Sequence, residues 1–141
     1  MQGEFSMTYP VTNIDGIGPE EATKLRRIGI RTTAGLLEAA KSLKGRKQLA
    51  EKTGIDEKRL LKWANSADRM RIKGVGDDYA ELIRAAGVDT VRELKYRNAK
   101  RLTEAMAKAN EKRKLVQFLP SEKAVRRWIE HARKLPPKIT Y

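Results

Sequence analysis

Two short glycine loops carry the residues best suited to hold a ligand. The sequence IDGIG at residues 14–18 (loop 1) recurs as IKGVG at residues 72–76 (loop 2). In each loop two glycines flank one apolar residue, Ile17 or Val75. This pattern permits a positive φ and the close approach of another backbone. A helix is expected to begin directly after each loop, and the free amides at such a junction attract anions. Both loops are therefore candidate phosphate sites.

The elements that position the loops are repeated as well. The chain after each loop matches without a gap at an offset of 58 residues, since Ile14 pairs with Ile72. Further matches at this offset pair Ala22 with Ala80, Arg26 with Arg84, Gly29 with Gly87 and Thr32 with Thr90. Near the end of each copy Trp63 pairs with Trp128, an offset of 65, so the second copy holds a 7-residue insertion. The repeat predicts two similar units packed together.

Apolar residues at helical spacing predict that both units are helical. Pro19 suits the first position of a helix, and Gly29 ends the run that follows it. Thr32 or Thr33 is expected to cap a helix whose apolar stripe runs as far as Leu43. Further helices are expected over about residues 46–53, from Asp56, from Asp77, after Asp89 or Thr90, after Asn98 and after Ser121. No segment alternates with period two, so the predicted class is all-α.

Both loops and the helices after them resemble the helix-hairpin-helix motif, which the first copy matches through Ile14, Gly16, Gly18, Ala22 and Leu25. Each unit is also similar to the small N-terminal helical domain of archaeal and eukaryotic recombinases, through GIRT at residues 29–32 and LAEKTGI at residues 49–55. Over about residues 9–136 the chain resembles a bacterial family called domain of unknown function 4332. The segments that carry this likeness are KRLLKWAN at residues 58–65 and RIKGVG at residues 71–76.

The resemblance implies an all-α fold of two tandem helix-hairpin-helix units, each of about five short helices, related by a pseudo-two-fold repeat. We expect a flexible N-terminus at residues 1–8, a first unit at 9–70, a second at 71–136 and a C-terminal tail at 137–141. Members of the motif family commonly hold a nucleic-acid phosphate on the hairpin amides. The candidate nucleic-acid-binding residues are Gly16, Ile17, Gly18, Lys24, Arg27, Arg71, Lys73, Gly74, Val75 and Gly76.

Carboxylates in the first turn after each loop favour a different interpretation. Glu20 and Glu21 follow loop 1, and Asp77 and Asp78 follow loop 2. They stabilise a helix N-terminus but repel a phosphate that approaches the same amides. Each Gly-x-Gly sequence could therefore serve only to close a tight turn between helices.

The charge of the chain favours a polyanionic partner. Lys and Arg outnumber Asp and Glu by 31 to 18, which gives a net charge of +13. The excess lies outside the loops: residues 41–62 carry eight basic and three acidic residues, residues 96–115 seven and two, and residues 120–138 six and two. If these helices border the loops they attract a phosphate backbone, and if not they are a solvated face. Nucleic acid, with DNA favoured over RNA, is the first expected partner and an acidic protein surface the second.

These residues bear on three classes of function. The first is sequence-independent binding of nucleic acid, with duplex DNA favoured, and the second is a protein-interaction or assembly module. The third, an enzyme of the glycosylase kind, would need a nucleophilic Lys in or just after a loop, whereas Lys73 precedes the glycines. We expect no enzyme, catalytic residue, cofactor, metal site or small-molecule substrate.

The two tryptophans and the single histidine are expected to have structural or surface roles. Trp63 and Trp128 are expected to pack in the core, and His131, the single histidine, has no candidate metal co-ligands. Since the chain has no Cys, it can form no disulfide. The absence of a long apolar run or a signal peptide predicts a cytoplasmic protein without membrane contact.

Overall fold

The computed structural model describes residues 8–141, and within them every regular element is a helix. A 3-10 turn at Val11–Asn13 precedes loop 1. The α-helices are α1 (Pro19–Arg27), α2 (Thr33–Ala40), α3 (Leu43–Thr53), α4 (Glu57–Arg69), α5 (Asp77–Ala85), α6 (Val91–Leu94), α7 (Ala99–Arg113) and α8 (Glu122–Lys134). The predicted all-α class is confirmed. The predicted flexible segment lies, except for Thr8, outside the described residues.

Local capping chemistry sets most helix starts. The side chains of Thr32, Thr90, Asn98 and Ser121 each accept a backbone N–H in the first turn of the helix that follows. Such caps satisfy amides that have no partner within the helix. The sequence predicted all four starts, because a cap depends on residues close together in the chain.

The boundary between α2 and α3 differs from the prediction. Leu43 does not extend the apolar stripe of α2; it begins α3 and is 47% exposed. Ser42 accepts the amide of Gly45 at 3.0 Å and so starts a new helix. A β-carbon at Gly45 would lie 2.3 Å from the carbonyl oxygen of Ala39, so only glycine allows the two helices to approach this closely.

One apolar core includes residues of both predicted units. Ile30 and Leu36 from the first, and Val88 and Leu94 from the second, are all buried in it. Helix α4 contacts α2 and α3 of the first half and α5 and α6 of the second half. The shared core explains why the chain needs no linker near residue 70.

A buried arginine at the end of α4 ties it to the second half of the chain. The guanidinium of Arg69 is fully buried, and its Nε donates to the carbonyl oxygen of Ala80 at 3.0 Å. Nη2 donates to Ser66 Oγ at 3.0 Å, and Nη1 bonds the carbonyl oxygen of Asp89. Burial lowers the pKa of Arg69 to about 10. The bonds to Ala80 and Asp89 tie the segment after loop 2 to the end of α4.

The predicted C-terminal tail is docked on the first half of the chain. The amide of Thr140 donates to the carbonyl oxygen of Lys41 at 2.8 Å, and the hydroxyl of Tyr141 donates to Asn65 Oδ1 at 2.8 Å. Arg46, which is buried, donates from Nη2 to the carbonyl oxygen of Thr140 at 2.7 Å. Residues 138–141 therefore act as a strap across α2, α3 and α4.

Candidate nucleic-acid interface

Both loops have the backbone geometry that the glycine pattern predicts. Gly16 and Gly74 adopt φ values of 94° and 90°, a region that L-residues avoid. Gly18 and Gly76 are extended residues at the N-caps of α1 and α5. A tryptophan lies behind each turn: a β-carbon at Gly16 would be 3.2 Å from Trp63 Nε1, and one at Gly74 would be 3.1 Å from Trp128 Nε1.

The apolar residue between the glycines serves the turn rather than a ligand. Ile17 is 6% exposed and Val75 is fully buried. Their amides donate inside the loops, to the carbonyl oxygens of Ile14 at 3.1 Å and Ile72 at 3.0 Å. These two predicted binding residues therefore offer neither a side chain nor a free amide to phosphate.

Loop 1 is closed by its own helix. The amide of Gly18 donates to Glu21 Oε1 at 3.0 Å, so a carboxylate already occupies the position of a bound anion. Glu21 Oε2 accepts from Arg59 Nη2 at 3.1 Å. Hydrogen bonds from its own backbone amide and from Arg59 lower the pKa of Glu21 below its ordinary value. The carboxylate is therefore ionised at neutral pH and competes with any phosphate.

Loop 2 lacks this closure. The residue equivalent to Glu21 is Tyr79, whose hydroxyl donates to the carbonyl oxygen of Phe118 at 3.0 Å. Among residues 8–141 the Gly76 amide donates no hydrogen bond. A β-carbon on Gly76 would meet no atom within 4 Å, so the space beside it is open. Loop 2 is therefore the loop whose N-cap amide has no hydrogen-bond partner among the described residues.

A groove beside loop 2 brings basic side chains to the glycine backbone. It has a volume of about 670 Å³ and lies between loop 2 and one face of α8; we call it the α8 groove. Its lining includes Lys73 and Gly74 from the loop and Arg127 and Lys134 from α8. All three cationic side chains are on exposed residues. Glu130 is the one carboxylate that lines it, so the groove is electropositive.

His131 joins α8 to the loop. Its Nδ1 accepts the backbone amide of Lys73 at 3.0 Å, which requires that nitrogen to be unprotonated. The ring lines the α8 groove and leaves Nε2 as its other polar atom. The sequence suggested only a surface or helix-end residue here, because the bond joins positions 58 residues apart in the chain.

The remaining predicted cations differ in their availability. Arg71 bonds Asp68 through Nε at 2.7 Å and donates to the carbonyl oxygen of Pro136 at 3.3 Å, and its side chain is only 9% exposed. Its charge is thus used within the fold. Lys24 pairs with Glu20 at 3.8 Å on the surface of α1, and Arg27 is exposed near the end of the same helix.

The sequence predictions missed three residues that shape the two sites. From the sequence, Arg127 and Lys134 contribute only to the count of basic residues, and nothing marks Arg59 as a site residue. The offset of 65 that pairs Trp63 with Trp128 also pairs Arg59 with Ala124 and Lys62 with Arg127. Arg59 and Ala124 differ in size and charge, and this difference is the sequence signal that the two loops have different surroundings.

Metal sites and membrane-spanning helices are absent from the described part of the chain. Residues 8–141 contain no cluster of His, Asp or Glu side chains that could hold a metal ion. They also contain no helix with the length and hydropathy needed to cross a bilayer.

Comparison with known proteins identifies a family. No curated protein and no solved structure matches the chain. The family model described as Domain of unknown function (DUF4332) matches residues 15–135, a range that includes most of loop 1, all of loop 2 and α8. The chain therefore belongs to the DUF4332 family.

Proposed function

We propose that the protein binds duplex DNA without sequence specificity, chiefly through loop 2 and the α8 groove. The observation that carries this proposal is the meeting of Lys73, Arg127 and Lys134 beside the glycine backbone of loop 2. Cations in this arrangement neutralise phosphates, while a backbone amide fixes the register of the strand. The net charge of +13 adds long-range attraction.

Loop 1 has a smaller role in this proposal than loop 2. Its Gly18 amide is bonded to Glu21, whereas the Gly76 amide donates no hydrogen bond within residues 8–141. A phosphate at loop 1 would have to displace a carboxylate that Arg59 also holds. In this proposal loop 2 makes a direct contact with a phosphate. At loop 1 the Glu21 carboxylate occupies the equivalent position.

The first test is the salt dependence of binding to a labelled blunt duplex, measured by fluorescence anisotropy. With on the order of 4 to 6 phosphate contacts, log K against log salt has an expected slope of roughly −4 to −5. A duplex RNA competitor measures the preference for DNA. Failure to bind at the lowest salt concentration would overturn the proposal.

Matched variants separate the α8 groove from diffuse charge. The triple change of Lys73, Arg127 and Lys134 to Gln removes three charges from the groove. The control changes Lys44, Lys47 and Lys52 to Gln, three exposed residues of α3, and reaches the same net charge. We expect the first variant to bind at least about tenfold more weakly than the control, a difference of about 1.4 kcal/mol. Equal losses would leave only a diffuse basic surface.

The amide contribution has its own pair of variants. Gly76→Ala keeps all charges and fits an extended residue in open space, but its methyl group obstructs the amide. Gly18→Ala is the control, because that amide already donates to Glu21. We expect a loss of affinity for Gly76→Ala and little change for Gly18→Ala. Equal affinities in two folded variants would exclude the Gly76 amide from the contact.

A protein-interaction module remains the second candidate, and one observation favours it. Phe118 is 73% exposed and lines a cleft beside loop 2 together with Asp77 and Asp78. An apolar side chain next to two carboxylates suits a partner with apolar and basic residues. Asp77→Asn with Asp78→Asn gives opposite expectations for the two candidates. Duplex binding strengthens if loop 2 contacts DNA, whereas binding to a protein that uses these carboxylates weakens.

A further inference from the structure

The space in front of Trp63 in the first half of the molecule is filled by the protein itself. The Arg59 guanidinium lies 5.0 Å from the centroid of the Trp63 ring. The same guanidinium bonds Glu21, whose other oxygen accepts the Gly18 amide. A flat, charged group therefore stacks on the indole and reaches back to the loop. Stacking of this kind is favourable because the aromatic face attracts a cation.

The second half has the same frame without these two side chains. Trp128 lies behind Gly74 as Trp63 lies behind Gly16. However, Ala124 stands at the position of Arg59, and Tyr79 stands at that of Glu21. Both replacements line the α8 groove, so the second half has a groove beside the residues that correspond in sequence to Arg59 and Glu21.

The aromatic and basic side chains that line the α8 groove determine which kind of ligand fits it. The rings of Tyr79 and Trp128 are 5.4 Å apart with their planes at 46°, and Tyr79 is the more exposed of the two. Lys73, Arg127 and Lys134 outnumber Glu130 among the lining residues. This charge repels a guanidinium from a partner and favours a flat group that carries an anion. A nucleotide combines both features, since its base stacks on aromatic rings and its phosphate binds cations.

We propose that the α8 groove binds a single unpaired nucleotide, with its base against Tyr79 and its phosphate near Lys73, Arg127 and Lys134. The volume of about 670 Å³ is within the usual range of small-ligand sites. His131 Nε2 is a polar atom available to a base edge, because Nδ1 is bonded to the Lys73 amide. This inference rests on the proposed function, which uses the same cations. It adds a preference for nucleic acid with an unpaired end over a blunt duplex.

The bound nucleotide can come from the unpaired end of a nucleic acid or from a free nucleotide, and two measurements distinguish these sources. Anisotropy titrations compare a blunt duplex with the same duplex carrying a short single-stranded overhang. A second titration adds dAMP to a Trp63→Phe variant, in which Trp128 is the remaining tryptophan, and follows its fluorescence. Deoxyribose 5-phosphate, which has no base, is the control ligand. We expect about a tenfold preference for the overhang, the order of magnitude that stacking of one base gives, and saturable quenching by dAMP alone.

Variants test the groove without a change of charge. Ala124→Leu narrows the groove beside Tyr79 and Trp128, and Ala34→Leu, at an exposed position of α2, is the matched control. Ala124→Leu should abolish the overhang preference and the dAMP quenching, whereas Ala34→Leu should retain both. Tyr79→Leu should lose the preference and Tyr79→Phe should keep it, because only the ring is needed for stacking.

The outcomes distinguish this inference from the proposed function. Equal binding of blunt and overhang duplexes, together with no response to dAMP, would overturn the nucleotide site and leave duplex binding intact. Saturable dAMP quenching without any overhang preference would identify a free nucleotide as the ligand. Failure of every DNA to bind would overturn the proposed function, and the dAMP titration would still decide whether the groove holds a nucleotide.

Discussion

Gly74 lies directly against the indole nitrogen of Trp128: a β-carbon on this glycine would be 3.1 Å from Nε1. Gly74 also has a φ of 90°, which L-residues rarely adopt. The turn of loop 2 and the position of α8 are therefore coupled through one residue. The equivalent pair, Gly16 and Trp63, has nearly the same spacing of 3.2 Å.

Replacement of Gly74 tests this coupling. Gly74→Val should lower the free energy of unfolding by more than about 1 kcal/mol, because a β-branched residue is strained at positive φ and its side chain meets Trp128. Gly76→Ala is the control, since φ there is −89° and the space is open. It should change stability by no more than about 0.5 kcal/mol. Urea denaturation measures both, and equal stabilities would contradict the tight-turn interpretation.

Glu21 provides a gain-of-function prediction for loop 1. Glu21→Ala frees the Gly18 amide and the Arg59 guanidinium, whereas Glu21→Gln removes the same charge but keeps an amide oxygen that can cap the helix. If closure by Glu21 keeps phosphate away, the Ala variant should bind duplex DNA severalfold more tightly than the Gln variant. Anisotropy at fixed salt gives the comparison, and identical affinities would show that only the charge matters.

Arg69 and Lys134 occupy equivalent positions at the ends of α4 and α8 but have different surroundings. Arg69 is fully buried and bonds Ala80, Asp89 and Ser66, whereas Lys134 is exposed. Arg69→Met should cost about 3–5 kcal/mol of stability, because it leaves buried carbonyl groups without donors. Lys134→Met should change stability by less than about 0.5 kcal/mol. Similar costs in chemical denaturation would mean that the Arg69 bonds do not join the two halves.

The C-terminal strap should be coupled to Arg46. Deletion of residues 138–141 removes the Thr140 carbonyl oxygen, which accepts from Arg46 Nη2 at 2.7 Å. We expect the deletion and Arg46→Met each to cost about 1–3 kcal/mol. Because both changes break the same bond, their combined cost should be smaller than the sum. A double-mutant cycle by urea denaturation tests this, and strict additivity would show that the bond contributes nothing.

Several features of this protein were determined by residues close together in the chain. The all-α class, the caps at Thr32 and Ser121, and the positive φ at Gly16 and Gly74 could all be predicted from the sequence. Caps and turns depend on contacts within a few residues, and helical periodicity is a local property. Burial of both tryptophans followed from their apolar helix faces.

The tertiary structure decided which loop can reach a ligand. Loops of nearly the same sequence differ because Arg59 and Glu21 meet at the first, while Ala124 and Tyr79 leave a groove at the second. In each half the two residues are about 40 positions apart in the chain. No local sequence pattern predicts how close they are in space. The burial of Arg46 and Arg69 could not be predicted from the sequence for the same reason, because their hydrogen-bond partners lie on other elements. Local sequence therefore determined the backbone of each loop, and long-range packing determined which amides and charges remain available, because hydrogen bonding depends on distance in space rather than along the chain.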